Sequence, residues 1–167
     1  MRALPALALV LVAVTACGSS AGSGERACTA IAARAGIGVD LAPPPEGTEP
    51  REATVEACWG GSCRTVSVEL VPETAATETT CEGDEPDSVC SARMRETGGL
   101  TGFADLPELP AEPVEVTLTV VTADGGEYAH RTLRVTPELV YPNGPGCGGE
   151  AAQAHLTVDS QGRVHAR

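Results

Sequence analysis

Seven cysteines, three histidines and one string of carboxylates are the residues of this 167-residue chain best able to bind a metal, change redox state or catalyse a reaction. The cysteines are Cys17, Cys28, Cys58, Cys63, Cys81, Cys90 and Cys147. The two nearest in sequence, Cys58 and Cys63, are separated by the four residues Trp59-Gly60-Gly61-Ser62, wider than the close CxxC spacing of a metal or thiol-redox pair. His130, His155 and His165 must supply any imidazole. His155 and His165 face each other if the last hairpin is symmetric about Gln161-Gly162, and two facing imidazoles can ligate zinc. However, no Cys or carboxylate at suitable spacing completes a tetrahedral set. Glu82-Gly83-Asp84-Glu85-Pro86-Asp87 offers oxygens to a hard cation such as calcium, but it lacks the order of a calcium-binding loop and Pro86 stiffens it. A run of like charge is first of all a solvated loop, and calcium there is left open. The G-x-S-x-G motif of α/β hydrolases is absent, and Gly60-Gly61-Ser62-Cys63 puts its glycines where a tight hairpin needs them. The expectation is therefore a protein with no catalytic residue, no metal site and no cofactor.

The elements that must position these side chains begin after an export segment. Arg2 gives a positive start, Ala3 to Val14 is an apolar run broken only by Pro5, and small residues follow. That run is too short to span a bilayer and reads as a cleaved signal peptide over residues 1–16. Val14-Thr15-Ala16-Cys17 resembles the lipobox of bacterial lipoproteins. The resemblance implies that Cys17 is joined to diacylglycerol and becomes the mature N-terminus, on the extracytoplasmic face of the cytoplasmic membrane. Gly18 to Gly24 is a Gly/Ser run, and residues 17–27 read as the lipidated Cys and a flexible tether. All eleven basic residues are Arg, and with the abundant Ala this composition is similar to that of small lipoproteins from high-G+C actinobacteria.

About 150 residues remain after position 16, the size of one domain, here residues 28–167. The formal net charge of −12 repels nucleic-acid phosphates and anionic headgroups, so nucleic acid is excluded as a partner and the membrane is reached through the lipid. An envelope protein or a glycan is the partner class left open. Exported chains keep disulfides, and six cysteines remain once Cys17 is assigned to the lipid, so three disulfides are expected. Six cysteines allow fifteen pairings, which the sequence does not decide between. Cys58 and Cys63 share the polar face of one hairpin beside its turn and are the preferred first pair. Cys81 with Cys90 is the next most local choice, and Cys28 with Cys147 is what remains.

Alternation of apolar and polar residues marks most of the strands. Ile37, Val39 and Leu41 share one face before Pro43-Pro44-Pro45; Thr54 to Trp59 and Cys63 to Val71 form a hairpin with Val66, Val68 and Leu70 on its apolar side. Val114, Val116, Leu118 and Val120 make the cleanest strand, returned by Tyr128 to Thr136 with Leu133 and Val135 inward. Ala152 to Val158 and Arg163 to Ala166 make a last hairpin, and Leu100 to Phe103 a short strand. Cys28 to Ala35 is expected to form a helical turn, Thr74 to Arg95 a disulfide-stapled excursion without regular period, and Tyr141 to Gly149 a loop serving as a spacer. Seven or eight short strands with little helix predict an all-β, antiparallel, immunoglobulin-like β-sandwich stapled by disulfides. Its expected role is that of a lipid-anchored binding or structural module rather than an enzyme. A secreted-type protease inhibitor is the first alternative and a hydrolase or metal-dependent enzyme the second.

Overall fold

A computed structural model describes residues 28–167, so the expected signal peptide over 1–16 and the expected lipidated Cys17 and tether lie outside the described residues. Ten strands form two sheets. The larger contains β1 (Gly36–Leu41), β4 (Val71–Cys81), β5 (Cys90–Asp105), β8 (Glu138–Val140), β9 (Ala151–Val158) and β10 (Val164–Ala166). Its order is β10-β9-β1-β5-β4, with β8 also on β9. The smaller runs β3 (Ser62–Val68), β2 (Pro50–Trp59), β6 (Val114–Thr122), β7 (Glu127–Val135). Ladders are antiparallel except between β1 and β9, which are parallel, so the expected wholly antiparallel arrangement is corrected at that pair. Strands so far apart in sequence need no hairpin, and the chain between them supplies the crossover that parallel pairing requires.

The alternating residues become the inner faces of the two sheets. Ile37, Val39, Ala104, Leu156 and Val158 of the larger sheet meet Ala53, Val55, Ala57, Val116, Leu118 and Val120 of the smaller in one buried cluster. No aromatic ring is fully buried among the described residues; Trp59 and Tyr128 pack against the cluster from its margins. The core is thus aliphatic, and each residue buries less apolar area than a ring would. Three disulfides join Cys28 to Cys147, Cys58 to Cys63 and Cys81 to Cys90, the same three pairs preferred from the sequence.

Two expected elements are corrected. Cys28 to Ala35 holds no helix. Eight residues scarcely overcome the cost of helix nucleation, and the backbone finds tertiary partners instead. Ala33 N donates to Gly149 O (2.7 Å), Leu106 N donates to Ala35 O (3.0 Å), and Gln153 Nε2 donates to Arg34 O (2.7 Å). The expected excursion over Thr74 to Arg95 is instead a β-ribbon: β4 pairs β5 from Val71↔Thr101 out to Cys81↔Cys90, whereas β1 covers only residues 100–105 of β5. Residues 73–98 therefore project as a two-stranded arm whose side chains are nearly all exposed. The disulfide closes its end around the acidic loop 82–89.

The loop from Tyr141 to Gly149 is tied down along the N-terminal segment by Cys28–Cys147. Asn143 Nδ2 donates to Ile31 O (2.6 Å), and Thr29 Oγ1 donates to the Asn143 side-chain oxygen. No helix among the described residues is long and apolar enough to cross a membrane.

Candidate functional site

On β1, inward Ile37, Val39 and Leu41 force Gly36, Gly38 and Asp40 onto the outer face of the larger sheet. Gln153 and His155 of β9 flank that row on one side, and Thr101 and Phe103 of β5 on the other, in register with it. Because Gly38 has no side chain, the His155 ring lies across its backbone: a Cβ added at Gly38 would fall 2.6 Å from His155 Cε1 and closer still to Nδ1. A Cβ at Gly36 would meet the Phe103 ring at 2.6 Å. Beside these rings lies a groove of about 560 Å³ lined by Gly38 and Gly102 and by Arg34, Glu69, Phe103, Gln153 and His155.

At the edge of this groove His155 Nε2 donates to Asp40 Oδ2 at 2.6 Å, and Thr101 Oγ1 donates to Asp40 Oδ1 at 2.7 Å. Partial burial alone pushes the Asp40 carboxyl up, but the bonds from His155 and Thr101 outweigh it and hold the group below its ordinary 3.8. Arg34 spreads over the Phe103 ring, 4.9 Å from its centre, and pairs with Asp105 at 3.1 Å. Thr101 is the one hydroxyl in the groove lining, and its hydrogen is committed to Asp40. An imidazole held by a carboxylate is two-thirds of a hydrolytic triad; among the described residues that line this groove, the one hydroxyl is that of Thr101.

The other histidines lie elsewhere. His130 sits on the outer face of the smaller sheet with Nδ1 3.0 Å from Thr119 Oγ1. His165 pairs across the last hairpin with Thr157, not with His155, and its Nε2 lies 3.6 Å from Asp159. The facing His155/His165 arrangement is thus corrected. Facing histidines need a hairpin centred on Ser160, whereas the register centres on Gln161, and Asp159 organises that turn: Oδ1 accepts from Gln161 N (2.9 Å) and Arg163 N (3.0 Å). Among the described residues, the one close group of three metal-ligand types is Glu56, Cys58 and Cys63, and both of its sulfurs are spent in a disulfide. The carboxylates of the 82–87 string do not converge in any such group.

A second hollow, about 370 Å³ and mainly apolar, opens between the sheets at one end of the sandwich. In β2 the inward row is Ala53, Val55, Ala57, Trp59; in β3 it is Val68, Val66, Arg64, Ser62. Both rows leave the core as they approach the Gly60-Gly61 turn, whose positive φ angles of 57° and 79° suit a tight hairpin. Trp59 and Arg64 therefore face Leu106, Pro107 and Glu108 across an opening. Arg64 lies 5.8 Å from the Trp59 ring centre and 3.5 Å from Glu108.

Sequence reasoning missed both hollows. The signal for the first was the Gly-x-Gly-x-Asp alternation of β1, read only as a strand; for the second it was the parity that puts Arg64 on the row of Val66 and Val68. No protein-family model matches the chain, and comparison with curated proteins and with solved structures finds no match either.

Proposed function

We propose that this chain is a lipid-anchored binding module of the cell envelope. Cys17 and the tether hold an immunoglobulin-like sandwich at the outer face of the cytoplasmic membrane, where it binds an envelope protein or glycan without transforming it. The observation that carries the reading is the groove lined by Gly38 and Gly102. Open grooves with a few convergent polar groups on a rigid scaffold are where proteins place ligands. Here Arg34, the Phe103 ring and a His155 held by Asp40 converge beside the glycines of the groove. The three disulfides are consistent with an oxidising, extracytoplasmic compartment.

The test is co-sedimentation of the Cys17→Ser chain with isolated cell envelope, comparing it with a Gly38→Val form whose side chain displaces the His155 ring from the groove and an Arg34→Ala form that removes its cation. Retained folding with lost co-sedimentation supports the reading. Equal binding by all three forms removes the groove from it.

The inhibitor alternative rests on a different feature, the loop 82–89 held at the tip of the arm by Cys81–Cys90, with Val89 70% exposed. Inhibition of a serine-protease panel that is lost on Val89→Asp favours that reading over the first.

A further inference from the structure

We propose that the opening between Trp59 and Leu106 is a binding subsite for a neutral saccharide ring. Its lining includes apolar Val66, Leu106 and Pro107 together with Trp59, over whose ring the Arg64 guanidinium lies 5.8 Å from the centre and from which it must swing aside for a sugar to stack. A pyranose has apolar C–H faces and a polar equator. The apolar faces suit an aromatic ring, while the equator needs donors and acceptors at the margin.

The margin supplies both. Arg64 and Glu108 stand side by side, 3.5 Å apart, at the mouth. Neighbouring hydroxyls on a sugar can accept from the guanidinium and donate to the carboxylate at once, replacing a bond the two groups now make with each other. Both side chains are more than half exposed, so their mutual pairing is weak and is given up at little cost.

Charge selects against an acidic ligand. At the opening each carboxylate has its own cation, Asp105 with Arg34 at 3.1 Å and Glu108 with Arg64 at 3.5 Å, so the bias against an anion comes from the −12 that the chain as a whole carries. A ligand carboxylate or phosphate is repelled there, whereas a neutral ring meets no such penalty. The volume, about 370 Å³, is at the lower end of the range that small-ligand sites occupy. This subsite is distinct from the groove over Gly38, and its assignment does not depend on how the chain is anchored.

Trp59 is the only tryptophan, so its fluorescence reports on this opening alone. The full chain is titrated with chitotriose, cellotriose and mannotriose up to about 10 mM, a range that covers weak single-ring binding. The expected result is a saturable emission change with at least one of them. By calorimetry, Arg64→Gln and Glu108→Gln should each weaken that binding by about threefold to tenfold without altering the melting temperature, and Trp59→Phe should weaken it by about tenfold. His155→Gln should leave it unchanged, which separates failure here from failure of the groove. No saturable change with any of the three sugars overturns the proposal, as does full affinity in the Trp59→Phe and Arg64→Gln forms. A saturable response to a proline-rich peptide in place of the sugars reassigns the opening to a peptide.

Discussion

Asp40 and His155 are joined by a 2.6 Å hydrogen bond that runs diagonally across the parallel β1–β9 pair, the imidazole lying over Gly38 rather than over a side chain. The same carboxylate accepts from Thr101 on the opposite neighbouring strand, so a single outward Asp links three strands. The link exists because β1 places small residues beside Asp40 on its solvent face.

The Asp40 carboxyl is held below 3.8 in the folded protein, against the pull of partial burial, by His155 and Thr101. A depressed carboxyl contributes stability that is fully present above its unfolded value and is lost as pH falls through its lower, folded one. His155→Ala should therefore raise the Asp40 titration point toward 3.8, read by carbon NMR. At neutral pH it should cost about 1 kcal/mol, the low end for a charge-assisted bond because both side chains are about one-third exposed. An unchanged Asp40 titration would show that the bond does not form in solution.

Asp159 carries a larger shift of the same sign. Backbone donation from Arg163 is the main cause; the Arg163 side chain (Nε to Oδ2, 2.6 Å) and Gln161 N also lower it, and the group is held at about 2. Its contribution should survive to lower pH than most carboxylates allow, fading only between about pH 4 and 2. Asp159→Asn should flatten that part of the stability–pH curve, measured by urea unfolding at successive pH values, and should loosen the turn that sets the β9–β10 register. A wild-type curve already flat between pH 4 and 2 contradicts the assignment.

The three disulfides should contribute unequally. A cross-link restricts the unfolded chain more as the loop it closes grows, and the separations here are 119, 5 and 9 residues. Replacing Cys28 and Cys147 together by Ser should cost about 5 kcal/mol, against about 2 to 3 kcal/mol for either local pair. The Cys81/Cys90 double variant should lose still less of global stability, because the arm it closes packs against no core. Instead its arm amides should exchange faster by hydrogen-exchange mass spectrometry. Equal losses for all three pairs would refute the loop-length argument.

What was legible in the sequence follows from burial. β1, β2, β6 and β9 have one face in the core and one in solvent, so their residues alternate and their strands could be read directly. The arm buries neither face, so nothing constrains Thr74 to Glu96 to alternate, and a ribbon appeared as a loop. The local disulfides were legible because hairpin parity and proximity favour them, and the third followed by elimination. The parallel β1–β9 contact was not, since it depends on a crossover spanning most of the chain. The groove was hidden for a related reason: its glycines come from β1 and β5 and its side chains from the N-terminal segment, the β3–β4 connection, β5 and β9, which only this topology brings together.

The anchor is the remaining expectation, and it rests on Val14-Thr15-Ala16-Cys17 closing an apolar run. One acyl chain gives only marginal membrane binding, whereas a diacylglycerol on a cysteine supplies two and holds firmly. The domain offers the bilayer little else, since it is acidic and repelled by anionic headgroups. Attachment should therefore depend almost wholly on the lipid. The wild-type chain, expressed in a bacterial host fed labelled fatty acid, should carry the label and partition into the membrane fraction. Cys17→Ser should carry none and appear in the soluble fraction with its disulfides and melting curve unchanged. A Cys17→Ser chain that sediments with membranes as completely as wild type would show that something other than the thiol-linked lipid holds it there.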